Sequence, residues 1–280
     1  MAWIKELEVA ARAARNAAEV ALRMQPGITS ESKSDHSPVT PADRECERLI
    51  AGILSEAFPD DGILGEEGAR AESRSGRTWI IDPIDGTRDY LRGNALWANL
   101  IALEVADEVM VGVVNLPMLG TLYKASREGG AYRNDSRMHV SSKKTVEESV
   151  LCYSQFNRPE RVPFKAQLPD WMARFWAVRD LGGAPDAMMV AAGQAEIWIE
   201  PRAAAWDFAP LKVIVEEAGA RFLNFDGGSS IHAGNAVVFT PGLEGEVKRL
   251  LGLGTSQNFN FLRRNSIRPY VLTRMEEDKK

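Results

Sequence analysis

Histidine and cysteine are scarce in this chain of 280 residues, which contains 3 histidines and 2 cysteines. With so few nitrogen and sulfur ligands, and with no HExxH or CxxC motif, a histidine-rich zinc site is nearly excluded. The Walker A loop, a complete dinucleotide-binding fingerprint and the GxSxG turn of serine hydrolases are also missing. Cys46 and Cys152 lie in apolar segments, so we expect buried thiols rather than a disulfide. The chemistry that remains is that of carboxylates.

An excess of positive charge and long apolar runs are missing as well. Lys and Arg total 34 against 39 Asp and Glu, which gives a net charge of −5 and no surplus for contacting a phosphate backbone. The apolar runs are far shorter than the ~18 residues of a membrane span. The N-terminal residues have Glu and Lys inside an apolar pattern, which is typical of a helix and not of a signal peptide. We therefore expect a cytoplasmic protein that binds neither nucleic acid nor membranes.

The apolar pattern divides the chain into two halves and a tail. Residues 1–145 are expected to form two helices followed by antiparallel strands, with a short strand at 138–141 near the end, and residues 146–252 an alternating α/β half. Helices are predicted at 3–24, 41–57, 164–175, 187–192, 206–218 and 243–251. Residues 253–280 lack clear periodicity and are interpreted as an appended tail. Its aromatic residues are expected to dock it: Phe259, Phe261 and Tyr270.

The most informative segment is an apolar strand that runs straight into residues 82–87, with the sequence DPIDGT. Pro83 restricts the turn after the strand, and Gly86 lets the backbone approach a ligand closely. A turn of this shape aims both carboxylates and the Ile84 carbonyl at one point, and such hard oxygen ligands suit Mg²⁺. The backbone N–H groups of Gly86 and Thr87 would then face outward as a site for an anion.

Each acidic residue of interest also has an ordinary structural explanation. Asp82 and Asp85 are common turn residues, and residues 66–67 could be a solvated acidic pair. Asp43 could complete a helix capping box, and Asp207 could be a simple N-cap. Their joint occurrence in this order favours the functional interpretation.

That order of motifs resembles the inositol monophosphatase superfamily of Mg²⁺-dependent, Li⁺-sensitive phosphatases, over roughly residues 5–252. The matching segments are Lys33 with residues 39–43, residues 65–67 (GEE), residues 82–87 (DPIDGT), residues 206–207 (WD) and residues 215–219 (VEEAG). The resemblance implies an α+β fold, the layered αβαβα sandwich of inositol monophosphatase and fructose-bisphosphatase. It also implies a homodimer.

The resemblance further implies a role for each site residue. The implied ligands of two or three Mg²⁺ ions are Glu66, Asp82, the Ile84 carbonyl, Asp85 and Asp207. The implied catalytic residues are Asp43, Glu66 and Thr87, with Thr87 and Asp43 orienting the attacking water. The implied phosphate and substrate contacts are Gly86, Thr87, Gly182, Gly183 and Glu200. Paired metal ions would support in-line attack without a covalent phosphoenzyme, and Li⁺ and Ca²⁺ are expected to inhibit.

The substrate is less defined than the reaction, because several phosphate monoesters fit. Residues 90–104 and 206–219 are similar to the histidinol-phosphate phosphatase branch. That branch usually has Gly-Asp followed by aromatic residues at a segment that faces the substrate, where this chain has residues 182–186 (GGAPD). Histidinol phosphate is favoured, with inositol monophosphate and other sugar or nucleotide phosphates as alternatives. The competing class is a non-catalytic binding protein, which loss of a ligand carboxylate would favour; none is lost.

Overall fold

Five alternating layers of helices and sheets make up the computed structural model, which describes residues 3–34 and 37–253. The expected layered αβαβα sandwich is therefore confirmed. Within the described ranges, no helix is long and apolar enough to cross a membrane. The docking expected of Phe259, Phe261 and Tyr270 falls outside the described residues. Cys46 and Cys152 are buried and unpaired, as predicted.

The helices and strands have the following bounds. The helices are α1 (Ile4–Met24), α2 (Pro41–Ala57), α3 (Thr87–Leu91), α4 (Leu168–Met172), α5 (Gly183–Ala191), α6 (Ala205–Glu217) and α7 (Glu244–Leu250). The strands are β1 (Glu31–Ser32), β2 (Pro38–Val39), β3 (Gly62–Gly65), β4 (Arg70–Ala71), β5 (Arg77–Asp85), β6 (Ala98–Val105), β7 (Glu108–Leu116), β8 (Thr121–Ser126), β9 (Gly130–Arg133), β10 (Ser136–Arg137), β11 (Val150–Tyr153), β12 (Ala177–Arg179), β13 (Ile197–Glu200), β14 (Arg221–Leu223) and β15 (Ala236–Phe239).

Two large sheets form the second and fourth layers. The first has the order β10-β9-β8-β7-β6-β5-β3-β4 and is antiparallel apart from the β3–β5 pair. The second has the order β12-β11-β13-β15-β14 and combines parallel with antiparallel pairs. The division of the chain near residue 145 into two halves stays a prediction.

Three apolar cores join these layers. Helices α1 and α2 cover one face of the first sheet. Helices α5 and α6 lie between the two sheets and share a core with both. Helices α4 and α7 cover the outer face of the second sheet. The central helix layer therefore meets the first sheet on the face opposite to α1 and α2. Asp82, Asp85 and Asp207 come together between this layer and the sheet.

Helix α6 approaches the first sheet unusually closely at Gly112 of β7. A Cβ atom at Gly112 would lie 2.6 Å from the carbonyl oxygen of Pro210, so a side chain there would push the helix away. Pro210 is buried inside α6, where its lack of an N–H group removes one helical hydrogen bond. The close contact fixes the height of the N-terminal part of α6, which contains Asp207, above the first sheet.

Three expected elements differ in the structure. The helix predicted at 164–175 is reduced to α4 because Pro169 is tolerated only in the first turn, so the helix cannot begin much earlier. The strand expected at 138–141 is absent: β10 lies just before it, and the N–H of Val140 instead donates to the carbonyl of Ala218 at 3.0 Å. Helix α5 also begins earlier than expected, at Gly183, because Pro185 fits the first helical turn.

Glu217, the last residue of α6, fixes the turn between β8 and β9. Its two carboxylate oxygens accept hydrogen bonds from the backbone N–H groups of Glu128 (3.0 Å) and Gly130 (2.8 Å). Because E217A leaves both donors without this acceptor, we expect it to lower the free energy of unfolding by about 1–3 kcal/mol in urea titrations. E217Q keeps one acceptor oxygen and should lose less. An E217A variant as stable as the unmodified chain would contradict this role.

Candidate active site

The DPIDGT motif begins inside β5, and not in a turn after it as the sequence suggested, because a β-bulge interrupts the strand there. Residues 83–84 of β5 oppose the single residue Asn99 of β6. In an unbroken strand, residues three apart such as Asp82 and Asp85 would face opposite sides of the sheet. The extra residue of the bulge returns them to the same side. Both carboxylates therefore face the central helix layer, while Ile84 packs in the core under α1 and α2.

A third carboxylate reaches the same point from the central layer. Asp207 is the third residue of α6, and its Oδ2 accepts a hydrogen bond from the N–H of Ala204 at 2.6 Å. It therefore caps the helix from inside the first turn and is not the N-cap residue itself. One carboxylate oxygen from each of Asp82, Asp85 and Asp207 lies within 4.8 Å of the others. The N–H of Ala184 in α5 donates to Asp85 Oδ2 at 3.3 Å, which connects the cluster to a second helix.

Burial and mutual repulsion raise the pKa of all three carboxyl groups. Burial is the largest cause in each case, and neighbouring carboxylates add to it. The pKa of Asp82 is well above its usual range, that of Asp85 is raised to about 7 and that of Asp207 to about 6. Closely spaced like charges of this kind, one buried and two half-buried, are stabilised by a cation. A donor set of carboxylate oxygens fits a hard divalent cation.

Glu66 lies beside this cluster, on the loop after β3. Its negative charge contributes to the raised pKa of Asp82. The ammonium group of Lys33 donates to Glu66 Oε1 at 2.8 Å and also to Glu67. Burial disfavours the charge on Lys33, but these two carboxylates raise its pKa overall. Residues 66–67 are thus held by an ion pair and are not a freely solvated pair.

Glu47, which the sequence interpretation missed, holds the backbone of this loop. It is buried on α2, and its carboxylate accepts hydrogen bonds from the N–H groups of Glu67 and Ala69, each at 2.7 Å. A Cβ atom at Gly65 would overlap this carboxylate, which explains the glycine there. The available signal was an acidic residue on the apolar face of α2, next to Cys46. Its partners about 20 residues away could not be read from that pattern.

Asp43 completes the capping box of α2 and also lies beside Thr87. Its Oδ2 accepts hydrogen bonds from the N–H and the hydroxyl of Thr40, which completes the capping box of α2. Its Oδ1 lies 3.4 Å from the Thr87 hydroxyl, which is also 3.2 Å from the Ile84 carbonyl. Gly86 precedes Thr87 with a φ of 83°, and a Cβ atom there would lie 3.1 Å from the carbonyl of Leu96. The turn therefore requires glycine.

Glu200 and the two glycines form the side of the site that comes from the second half of the chain. Glu200, at the end of β13, is only 4% exposed, and its Oε1 accepts hydrogen bonds from the Gln155 side chain and the N–H of Arg202. Its Oε2 points to Gly183, where a Cβ atom would lie 3.9 Å away. Gly182 is the N-cap of α5. Burial, with the nearby acidic cluster, raises the pKa of Glu200 to about 8.

Known proteins are similar to this chain in sequence and in fold over most of its length. Residues 3–252 match the model of the inositol monophosphatase family, a range that includes every candidate site residue. A histidinol-phosphatase from Chlorobaculum parvum is 40% identical over 207 residues, which cover 74% of this chain and 80% of that protein. An inositol-1-monophosphatase from Mesorhizobium japonicum is 37% identical over 210 residues, 71% and 79% of the two chains. The crystal structure of extragenic suppressor protein suhB from Bartonella henselae matches with a TM-score of 0.81 at 29% identity, covering 88% and 98%.

The raised pKa values predict how stability depends on pH and on Mg²⁺. Asp85 and Asp207 bind protons more tightly in the folded, metal-free chain than in the unfolded chain. Their protonation therefore stabilises the folded state fully below pH ~4, and this stabilisation is lost as the pH rises to about 7. Mg²⁺ competes with those protons, so about 10 mM Mg²⁺ should raise Tm more at pH ~8 than at pH ~5.5. Thermal unfolding with Mg²⁺ or with EDTA measures this. A Tm that Mg²⁺ leaves unchanged at both pH values would contradict the cation site.

Proposed function

The chain belongs to the inositol monophosphatase family and is a phosphomonoesterase, and we propose that the ester it hydrolyses is histidinol phosphate. The observation that supports this substrate most directly is the buried carboxylate of Glu200 beside the acidic cluster. A buried carboxylate with a raised pKa is stabilised by a cationic partner, and histidinol phosphate has an ammonium group. The 40% identity to a histidinol-phosphatase points to the same substrate.

For the cofactor we propose two or three Mg²⁺ ions. The residues that would hold them are Glu66, Asp82, Asp85 and Asp207 through their carboxylates, and Ile84 through its carbonyl oxygen. The oxygen-only donor set and the buried, mutually repelling carboxylates support this assignment. When bound, Mg²⁺ supplies the positive charge that acidifies water and neutralises the phosphoryl oxygens. Inhibition by Li⁺ and Ca²⁺, and the homodimer, stay predictions.

Thr87 and Asp43 would orient the attacking water. The Thr87 hydroxyl can donate its proton to Asp43 Oδ1 at 3.4 Å, which leaves its oxygen free to accept a hydrogen bond from water. Burial raises the pKa of Asp43, so its Oδ1 is a stronger proton acceptor than an exposed aspartate. The N–H groups of Gly86 and Thr87, at the start of α3, lack acceptors within the helix and would bind phosphate oxygens.

Glu200 would recognise the rest of the substrate. Gln155 and the N–H of Arg202 donate to its Oε1, the Ser154 hydroxyl also hydrogen-bonds to this carboxylate, and Oε2 is the oxygen nearest to Gly183. The absence of side chains at Gly182 and Gly183 leaves room for the substrate next to this oxygen. A charge-assisted hydrogen bond to an ammonium group contributes about 1.5–3 kcal/mol.

Inositol monophosphate is the second candidate substrate. The inositol-1-monophosphatase from Mesorhizobium japonicum is nearly as similar to this chain as the histidinol-phosphatase. Glu200 could accept a hydrogen bond from an inositol hydroxyl, but a neutral amide can accept that bond too. The two candidates therefore differ in how much they depend on the negative charge of residue 200.

The substitution E200Q separates the two substrates. It should lower kcat/KM for histidinol phosphate by about 10- to 150-fold, because the charge-assisted bond to the ammonium group is lost. For inositol monophosphate the loss should stay below about tenfold. A matched control is E196Q. Glu196 is equally buried but lies just before β13, at the other end of the strand from Glu200, and accepts a hydrogen bond from the N–H of Val150 in β11. Steady-state kinetics with both substrates and an aryl phosphate measure the difference. Equal losses on all three would contradict the recognition role of Glu200.

A further inference from the structure

The bulge in β5 has a dedicated hydrogen-bond donor on the neighbouring strand. A bulge leaves the extra residue of its strand outside the regular ladder of hydrogen bonds. Here the side-chain amide of Asn99 donates from Nδ2 to the carbonyl oxygen of Pro83 at 2.7 Å. Asn99 is the residue that residues 83–84 oppose, and it is fully buried, so water cannot replace this donor. An unpaired carbonyl at this depth would be costly.

A second buried amide fixes the orientation of the first. Asn115 of β7 is the cross-strand partner of Asn99. Its Nδ2 lies 3.3 Å from Asn99 Oδ1 and 3.4 Å from the carbonyl oxygen of Ala14 in α1. Because Asn99 Oδ1 accepts from Asn115, its Nδ2 must face Pro83. A chain of hydrogen bonds thus runs from α1 across β7 and β6 to the bulge.

The hydrogen bonds of Asn99 and Asn115 lie on the opposite side of the first sheet from the carboxylates. Ile84 packs with Trp79 and Ile81 under α1 and α2, whereas Ile80 packs with the central helix layer. Regular alternation would put Ile84 with Ile80 and would turn Asp85 towards α1 and α2. Ile84 therefore faces the side opposite to the one that regular alternation would give, which shows that the bulge changes which residues of β5 face the site. Asn99 therefore acts on the carboxylates only through the backbone of β5.

We propose that Asn99 is a positioning residue for the metal site. It holds the bulge of β5 in place, and the bulge keeps Asp82 and Asp85 on the side of the sheet where Asp207 meets them. This inference rests on the proposed metal-dependent function. Without the amide donor, the Pro83 carbonyl is left buried and unpaired, and the separation between the two carboxylates is no longer fixed.

The test measures Mg²⁺ binding directly, by isothermal titration of the full chain. N99L keeps a similar side-chain volume but removes the donor, and it should weaken Mg²⁺ binding by about 10- to 100-fold, the range seen when groups that orient metal ligands are removed. N115L keeps Asn99 but removes the bond that orients it, and it should weaken binding by at least about threefold. If N99L does not fold, N115L alone decides the question.

The matched control is N224L, in the second half of the chain. Asn224 is also buried, and its amide donates to the carbonyls of Ser230 (3.0 Å) and Asn235 (2.7 Å). This variant should lose thermal stability and keep the Kd for Mg²⁺ of the unmodified chain. The positioning role is overturned if N99L binds Mg²⁺ as tightly as the unmodified chain does; if N99L does not fold, the same result with N115L overturns it. It is also overturned if N224L weakens Mg²⁺ binding by the same factor. No Mg²⁺ binding by the unmodified chain would instead contradict the proposed function, and the positioning role with it.

Discussion

Repulsion among the three closely spaced carboxylates of Asp82, Asp85 and Asp207 determines how the surrounding elements must be arranged. Asp82, which is buried, and Asp85 and Asp207, which are half-buried, each place a ligand oxygen within 4.8 Å of the others. Such a cluster would spread apart unless the backbone on every side held it. The surrounding layers hold it in place, and this repulsion is the reason we propose a divalent cation there.

Four of the five layers of the sandwich contribute to this support. The first sheet supplies the bulge that brings Asp82 and Asp85 to one side of the sheet. The close contact between Gly112 and Pro210 sets the distance between this sheet and α6, which contains the third carboxylate, Asp207. Helix α5 adds the N–H of Ala184, and helix α2 holds the neighbouring loop through Glu47. Glu200 joins the site from the second sheet. The site therefore lies where the first sheet meets the central helix layer.

The sequence predicted what depends on local pattern. The helices α1, α2 and α6 followed from apolar spacing and from Thr40 and Pro41 at the start of α2, and the acidic motifs identified the family. What it missed depends on contacts between distant segments. The bulge is defined by pairing with Asn99, and the role of Glu47 by backbone groups on a loop about 20 residues away. Neither contact leaves a periodic signal in the chain.

Anomalous X-ray scattering would show whether a cation binds between Asp82, Asp85 and Asp207. Mn²⁺ prefers the same oxygen ligands as Mg²⁺ and scatters X-rays anomalously, so crystals grown with Mn²⁺ would locate it. We expect an anomalous peak within about 2.0–2.6 Å of carboxylate oxygens of Asp82, Asp85 and Asp207 together. Peaks found only at other acidic groups, with none at this cluster, would contradict it.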